Sequence, residues 1–134
     1  MKMPYAELAE IVERDPRYSL EAYDFVFDAL RHTQRMLNRL PSDDDDEPKH
    51  VTGRELLEGI RDLALREFGL MARTVFRMWG IEKTDDFGEI VFNLVEADLM
   101  RKTEEDGRSD FHNVFDLDKA LTEGYEIKID ESDL

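Results

Sequence analysis

Thr52-Gly53-Arg54-Glu55-Leu56-Leu57-Glu58-Gly59-Ile60-Arg61-Asp62-Leu63-Ala64-Leu65-Arg66-Glu67-Phe68-Gly69 is the stretch whose reading decides the fold. Thr52 and Glu55 have the spacing of a capping box, in which the hydroxyl takes the N3 amide and the carboxylate reaches back. Leu56, Leu57, Ile60, Leu63, Ala64 and Phe68 then recur with helical period and form one apolar face. Gly69 ends or kinks the run. Such a helix must bury its stripe against other elements, and the rest of the chain supplies them.

Upstream, Tyr5, Leu8, Ala9 and Val12 make a first stripe that Asp15-Pro16 stops, because a residue before proline is pushed out of the α region. Ser19 is placed to cap a second helix running to about Leu40, with Leu20, Tyr23, Phe27 and Leu30 on its stripe and Ala22, Val26 and Ala29 widening it. Downstream, a fourth helix turns Met71, Val75, Met78 and Trp79 inward and stops at Gly80. Trp79 is expected against Phe87–Leu94 of a fifth helix, which Thr84 or Asp85 caps and whose core face is Phe87, Ile90, Val91, Leu94 and Val95. Gly59 and Gly88, inside helices, each cost about 1 kcal/mol relative to Ala, and close helix packing is the ordinary reason to keep them.

After the fifth helix the period changes. Leu99–Thr103 reads as a short strand, Glu104–Arg108 as a turn around Asp106-Gly107, and Asp110–Phe115 as a return strand. A last short helix is expected over 117–122. The expected fold is therefore mainly α. Residues 1–40 form an N-terminal helical hairpin, 41–50 an acidic linker loop, and 51–123 a three-helix unit with a small antiparallel β-hairpin. Residues 124–134 form an acidic tail. Ser19–Leu30 also aligns with Thr84–Val95, sharing Val26/Val91 and Phe27/Phe92, as an internal duplication would.

The chain has 134 residues, one domain by length, and no cysteine, which excludes disulfides and thiolate chemistry. Its formal net charge is −15, unevenly placed: −1 over residues 1–40, −4 over 41–50, +1 over 51–80 and −11 over 81–134. A surface this acidic repels phosphate backbones and anionic membranes. Pro41-Ser42-Asp43-Asp44-Asp45-Asp46-Glu47-Pro48 lacks the glycine turn and alternating ligands of a calcium loop and reads as a solvated linker. No apolar run is long enough to span a bilayer, and the start leads straight into an amphipathic segment, so the cytoplasm is the expected compartment.

DPRYSLEAYDFVFDAL (15–30), HVTGRELLEGIRDLALREFG (50–69), TVFRMWGI (74–81), DFGEIVFNLVEADLM (86–100) and SDFHNVFDL (109–117) together resemble a family found mainly in Planctomycetes and Verrucomicrobia. That family has no assigned activity, so the resemblance implies neither a reaction nor a site. Residues 52–118 also resemble a winged helix-turn-helix in the order of their elements. That order alone says nothing about DNA. The recognition helix would present Asp85, Asp86, Glu89, Asn93 and Glu96, four of them acidic, where groove reading needs Arg, Lys, Asn or Gln.

The remaining candidate chemistries are sparse. His32, His50 and His112 lie in separate segments with no metal-binding spacing, and no nucleotide-binding glycine motif or nucleophile elbow occurs. A weak enzyme reading pairs His112 with Asp110 across the hairpin. No cofactor or metal is expected. Arg31, Arg35 and Arg39 recur at i, i+4 and i+8, and Arg66, Arg73 and Arg77 suggest a second ridge, fit for RNA or an acidic protein unless spent on local ion pairs. Phe25 and Phe76 fall off the main stripes. They mark either an exposed docking patch or helices buried on two sides. The balance favours a non-catalytic protein-interaction or regulatory module, binding a protein partner or a second copy. Nucleic-acid or ribosome association through the Arg ridges is the alternative.

Overall fold

The computed structural model describes residues 5–38, 51–100 and 108–121. The helices are α1 (Tyr5–Arg14), α2 (Leu20–Met36), α3 (Gly53–Phe68), α4 (Ala72–Met78) and α5 (Thr84–Glu96). Single 3₁₀ turns cover Gly69–Met71 and Arg108–Phe111, and a last helical turn covers residues 117–121. The acidic linker 41–50 and the tail 124–134 lie outside the described residues. No helix among the described residues is long and apolar enough to cross a membrane.

The capping box at Thr52 forms as its spacing predicts: Glu55 N–H donates to Thr52 Oγ1 at 3.1 Å, and Thr52 N–H donates to Glu55 Oε1 at 2.9 Å. α3 then runs antiparallel to α2, since Thr33 meets Gly59 while Phe25 meets Phe68. α3 also contacts α4, α5 and the Arg108–Phe111 turn, which makes it the central element. The core gathers Leu8 and Ile11 of α1, Val26 and Ala29 of α2, Leu57 and Ile60 of α3, and Phe87, Ile90 and Leu94 of α5. α4 stops as expected. Gly80 takes φ +91°, its N–H donates to Arg77 O, and Ile81 N–H reaches Phe76 O, a Schellman closure with Ile81 buried behind it.

Four expectations are corrected. The hairpin is the first: among the described residues there is no strand. α5 ends in the same closure as α4, with Asp98 at φ +60° and Leu99 N–H donating to Leu94 O at 2.9 Å. Leu99 thus finishes a helix instead of starting a strand; residues 101–103 lie outside the described set. The return strand over Asp110–Phe115 is replaced by the 3₁₀ turn and irregular chain. Phe111 is buried there between two glycines, and a Cβ on Gly53 or Gly88 would fall about 3 Å from its side chain. Thr84 Oγ1 donates to Phe111 O at 2.7 Å and accepts from Val114 N–H at 3.1 Å. These bonds satisfy backbone that a strand would have paired with a neighbour.

Second, the inward face of α4 is Ala72 and Phe76, not Met71 and Met78, which point out. Third, Ser19 sits at the N-cap of α2 with extended backbone, but its side chain makes no cap bond, and Oγ is buried without a partner among the described residues. Fourth, Trp79 is partly buried but packs on Phe25, Phe68 and Phe76, while Phe76 is the ring that meets Phe87. The supposed duplication keeps part of its logic: Ala22/Phe87, Tyr23/Gly88, Phe25/Ile90 and Ala29/Leu94 are buried in both copies. A looser upstream match, which sets Leu8 on Met71, fails because Leu8 is buried and Met71 exposed.

Candidate interaction surface

Phe25 and Phe76 do not form an exposed pair. They are 4% and 0% exposed, with rings 5.7 Å apart in a cluster completed by Phe68, Trp79 and Phe87. The edge-on and tilted ring contacts at 5.3–6.0 Å fill the space where α2, α3, α4 and α5 converge. α2 is the helix buried on two sides.

The Arg ridges separate into two cases. Arg31 and Arg35 are exposed on α2; Arg39 lies outside the described residues. Arg66 pairs with Asp62 at 2.7 Å, one turn back. Arg73 is held by the Asp118 carboxylate, by Glu82 Oε2 at 3.0 Å, and by the carbonyls of Ile81 and Glu82. Arg77 lies 3.4 Å from Asp118. Arg73 and Arg77 thereby fasten the last helical turn to α4, which leaves no free second ridge.

Among the described residues, His32 and His112 sit in separate places, and His50 lies outside the described set. His32 Nε2 donates to Asp62 at 2.7 Å across the α2–α3 seam, and the carboxylate at His112 Nδ1 is Asp85, at 2.6 Å. Burial alone pushes Asp62 up, but hydrogen bonds from His32 and Arg66 outweigh it and hold the carboxyl below its usual range. The Asn113 N–H, followed by His112, does the same for Asp85. Among the described residues no three His, Asp or Glu side chains are grouped to hold a metal ion.

A polar seam that sequence reading missed joins the α1–α2 connection to α5. Arg17 grips Asp15 with two bonds of 2.8 and 2.7 Å, and Asn93 donates to Asp15 and to Tyr23 Oη, both at 3.0 Å. Tyr18 donates to Asp86 at 2.7 Å, while Asp86 accepts from the N–H groups of Glu82 and Lys83. The guanidinium of Arg17 holds the Asp15 carboxyl far below the usual carboxylate range. Burial, and then Asp86, pushes the Tyr18 phenol well up. In the sequence Asp15-Pro16 reads only as a helix stop and gives no sign of the seam. The seam covers positions that a recognition helix would have presented: Asp85, Asp86, Glu89 and Asn93 are all part-buried, and only Glu96 is exposed.

Among the described residues, Tyr5 and Met36 are about half exposed, and the most exposed large apolar side chains lie on α4 and the 3₁₀ turn before it. Leu70 is 68% exposed, Met71 58% and Met78 77%, with Thr74 exposed and Val75 half-buried between them. Residues 68–81 contain no carboxylate, although the chain carries 33. No family model, no curated protein and no solved structure matches this chain.

Proposed function

We propose that the chain is a non-catalytic protein-docking module of the cytoplasm that offers α4 to its partner. The observation that carries this reading is the exposure of Leu70 and Met71, in the 3₁₀ turn that leads into α4, and of Met78 at the end of α4. Isolated exposed apolar residues are ordinary, but three on adjacent turns, in a chain this acidic, form a patch that water does not favour. Methionine suits such a role, being unbranched and polarizable and so adaptable to the surface it meets. The two carboxylate–histidine pairs lie in separate places, which supports a structural role for those groups rather than a catalytic one.

The test is a photo-cross-linking residue at position 78, compared with one at the exposed Glu13 of α1. The reading expects discrete adducts in cells from position 78 and none of comparable yield from position 13. Equal labelling from both sites would overturn it.

A second reading, association with RNA or another acidic surface, is supported by the exposed pair Arg31 and Arg35, four residues apart on α2. Arg31→Glu with Arg35→Glu would then abolish binding to such a surface and leave the adducts at position 78 untouched.

A further inference from the structure

We infer that the occupant of the α4 face is a second copy of this chain, related to the first by a two-fold axis passing Thr74. The inference rests on the docking reading and commits it to one partner. Leu70, in the 3₁₀ turn that leads into α4, and Thr74 and Met78 of α4 stand four residues apart, the spacing of a helix ridge. All three are exposed. The ridge is large, small, large, and symmetric about its middle. In a two-fold contact the same patch serves both sides, so residue i meets j while j meets i. An antiparallel copy crossing at Thr74 sets Leu70 on Met78 of the second copy and Met78 on its Leu70. The small Thr74 lets the two axes approach, and Met71 and Val75 widen the contact.

Charge agrees with this arrangement. With no carboxylate in residues 68–81, the two helices bring no acid against acid as they meet. Along one edge of α4, Arg77 meets Asp118 of the last helical turn, opposite charges 3.4 Å apart and each more than half exposed. An antiparallel two-fold contact places this edge against its own copy, where Arg77 faces the second copy's Asp118 and the reverse. Away from the contact, two bodies of −15 repel each other. That repulsion is screened over about 8 Å at physiological ionic strength, so added salt strengthens the association. Standard interfaces bury roughly 800 Å² per partner, and a contact centred on a helix of 7 residues makes the dimer weak and concentration-dependent.

The experiment uses the full chain, whose lack of cysteine makes each introduced thiol unique. Light scattering should show the mass rising from 15.8 kDa toward twice that value with concentration, and further with sodium chloride. Under mild oxidation Thr74→Cys should link to itself. Leu70→Cys and Met78→Cys should each link poorly alone and well when mixed. Glu13→Cys is the background. Thr74→Glu, which puts two carboxylates on the axis, should keep the melting temperature and lose the dimer. A mass of 15.8 kDa at every concentration, or linking of Thr74→Cys no faster than Glu13→Cys, overturns the inference. If position 78 still gives adducts with a different protein, the docking reading stands without the dimer. If it gives none above the Glu13 site, both fall.

Discussion

Gly59 of α3 lies directly against Thr33 of α2: a Cβ on the glycine would fall 1.7 Å from Thr33 Oγ1 and 2.8 Å from Thr33 Cβ. The two longest helices pack closely at this point. It explains why a residue that weakens a helix by about 1 kcal/mol stands in the middle of α3. Thr33 is itself buried and donates to Ala29 O at 2.7 Å, so it has little room to yield. Gly59→Ala should therefore destabilise the fold by about 1–3 kcal/mol, the usual cost of overpacking, despite the better helix propensity of alanine. Thr33→Ala in the same chain removes the nearer contact, at Oγ1, but keeps Cβ, and should recover part of that loss. A double-mutant cycle by urea denaturation measures the coupling; additive losses would mean that the contact is not the cause.

Thr52 and Ser19 look alike as cap residues, and the structure separates them. Thr52 makes both halves of its box, so Thr52→Ala should cost about 1 kcal/mol. Ser19 Oγ makes no cap bond and is buried without a partner among the described residues, so Ser19→Ala should be neutral or slightly stabilising. Thermal melts of the two variants decide this, with a Ser19→Ala loss equal to that of Thr52→Ala as the contrary result.

α1, α3 and α4 were legible because each carries its own start or stop, Asp15-Pro16, Thr52 with Glu55, and Gly80; α2 ends at Met36 rather than near Leu40, and Lys83 rather than Thr84 or Asp85 stands at the N-cap of α5. Which side of α4 faces inward was not legible. Its sequence is apolar on most sides, so Met71-Val75-Met78 and Ala72-Phe76-Trp79 satisfy the same period. Contacts with Phe25 and Phe87, distant in sequence, choose between them. The hairpin misled for a related reason. Alternation of Phe111, Val114 and Phe115 fits a strand, but it also fits a turn pressed into a cleft. The cleft was written in Gly53 and Gly88, whose missing side chains admit Phe111. The Arg17–Asp15–Asn93 seam had no local signature, since Asn93 is 78 residues from its carboxylate.

The acid limb of stability should depend on Asp15. Arg17 holds its folded-state pKa well below the unfolded value near 3.8. A depressed carboxylate contributes stability that is present above the unfolded pKa and is lost as pH falls through the folded one. The wild-type chain should thus lose stability steadily below about pH 4. Asp15→Asn should be less stable at pH 7 and show a flatter decline in acid. Urea midpoints at pH 7 and pH 3 test this, and parallel curves for both proteins would exclude Asp15 as a contributor.

The two sides of α4 should respond oppositely to truncation. Phe76 is fully buried and touches Phe25, Trp79 and Phe87 at ring distances of 5.3–6.0 Å. Phe76→Ala removes that ring from the centre of the cluster and should cost about 3–5 kcal/mol. Trp79→Ala, at the partly buried rim of the same cluster, should cost less. Met71 and Met78 expose more than half their surface, and replacing both with Gln removes little contact within the chain. That double variant should remain within about 0.5 kcal/mol of wild type, as surface changes usually do. Since a domain has only about 5–15 kcal/mol in all, Phe76→Ala should be marginally folded at 37 °C while Met71→Gln with Met78→Gln melts normally. Circular dichroism melts at low protein concentration, where any dimer is dissociated, make the comparison. A large loss for the methionine pair under those conditions would place these side chains in the monomer core and remove the exposed face on which docking depends.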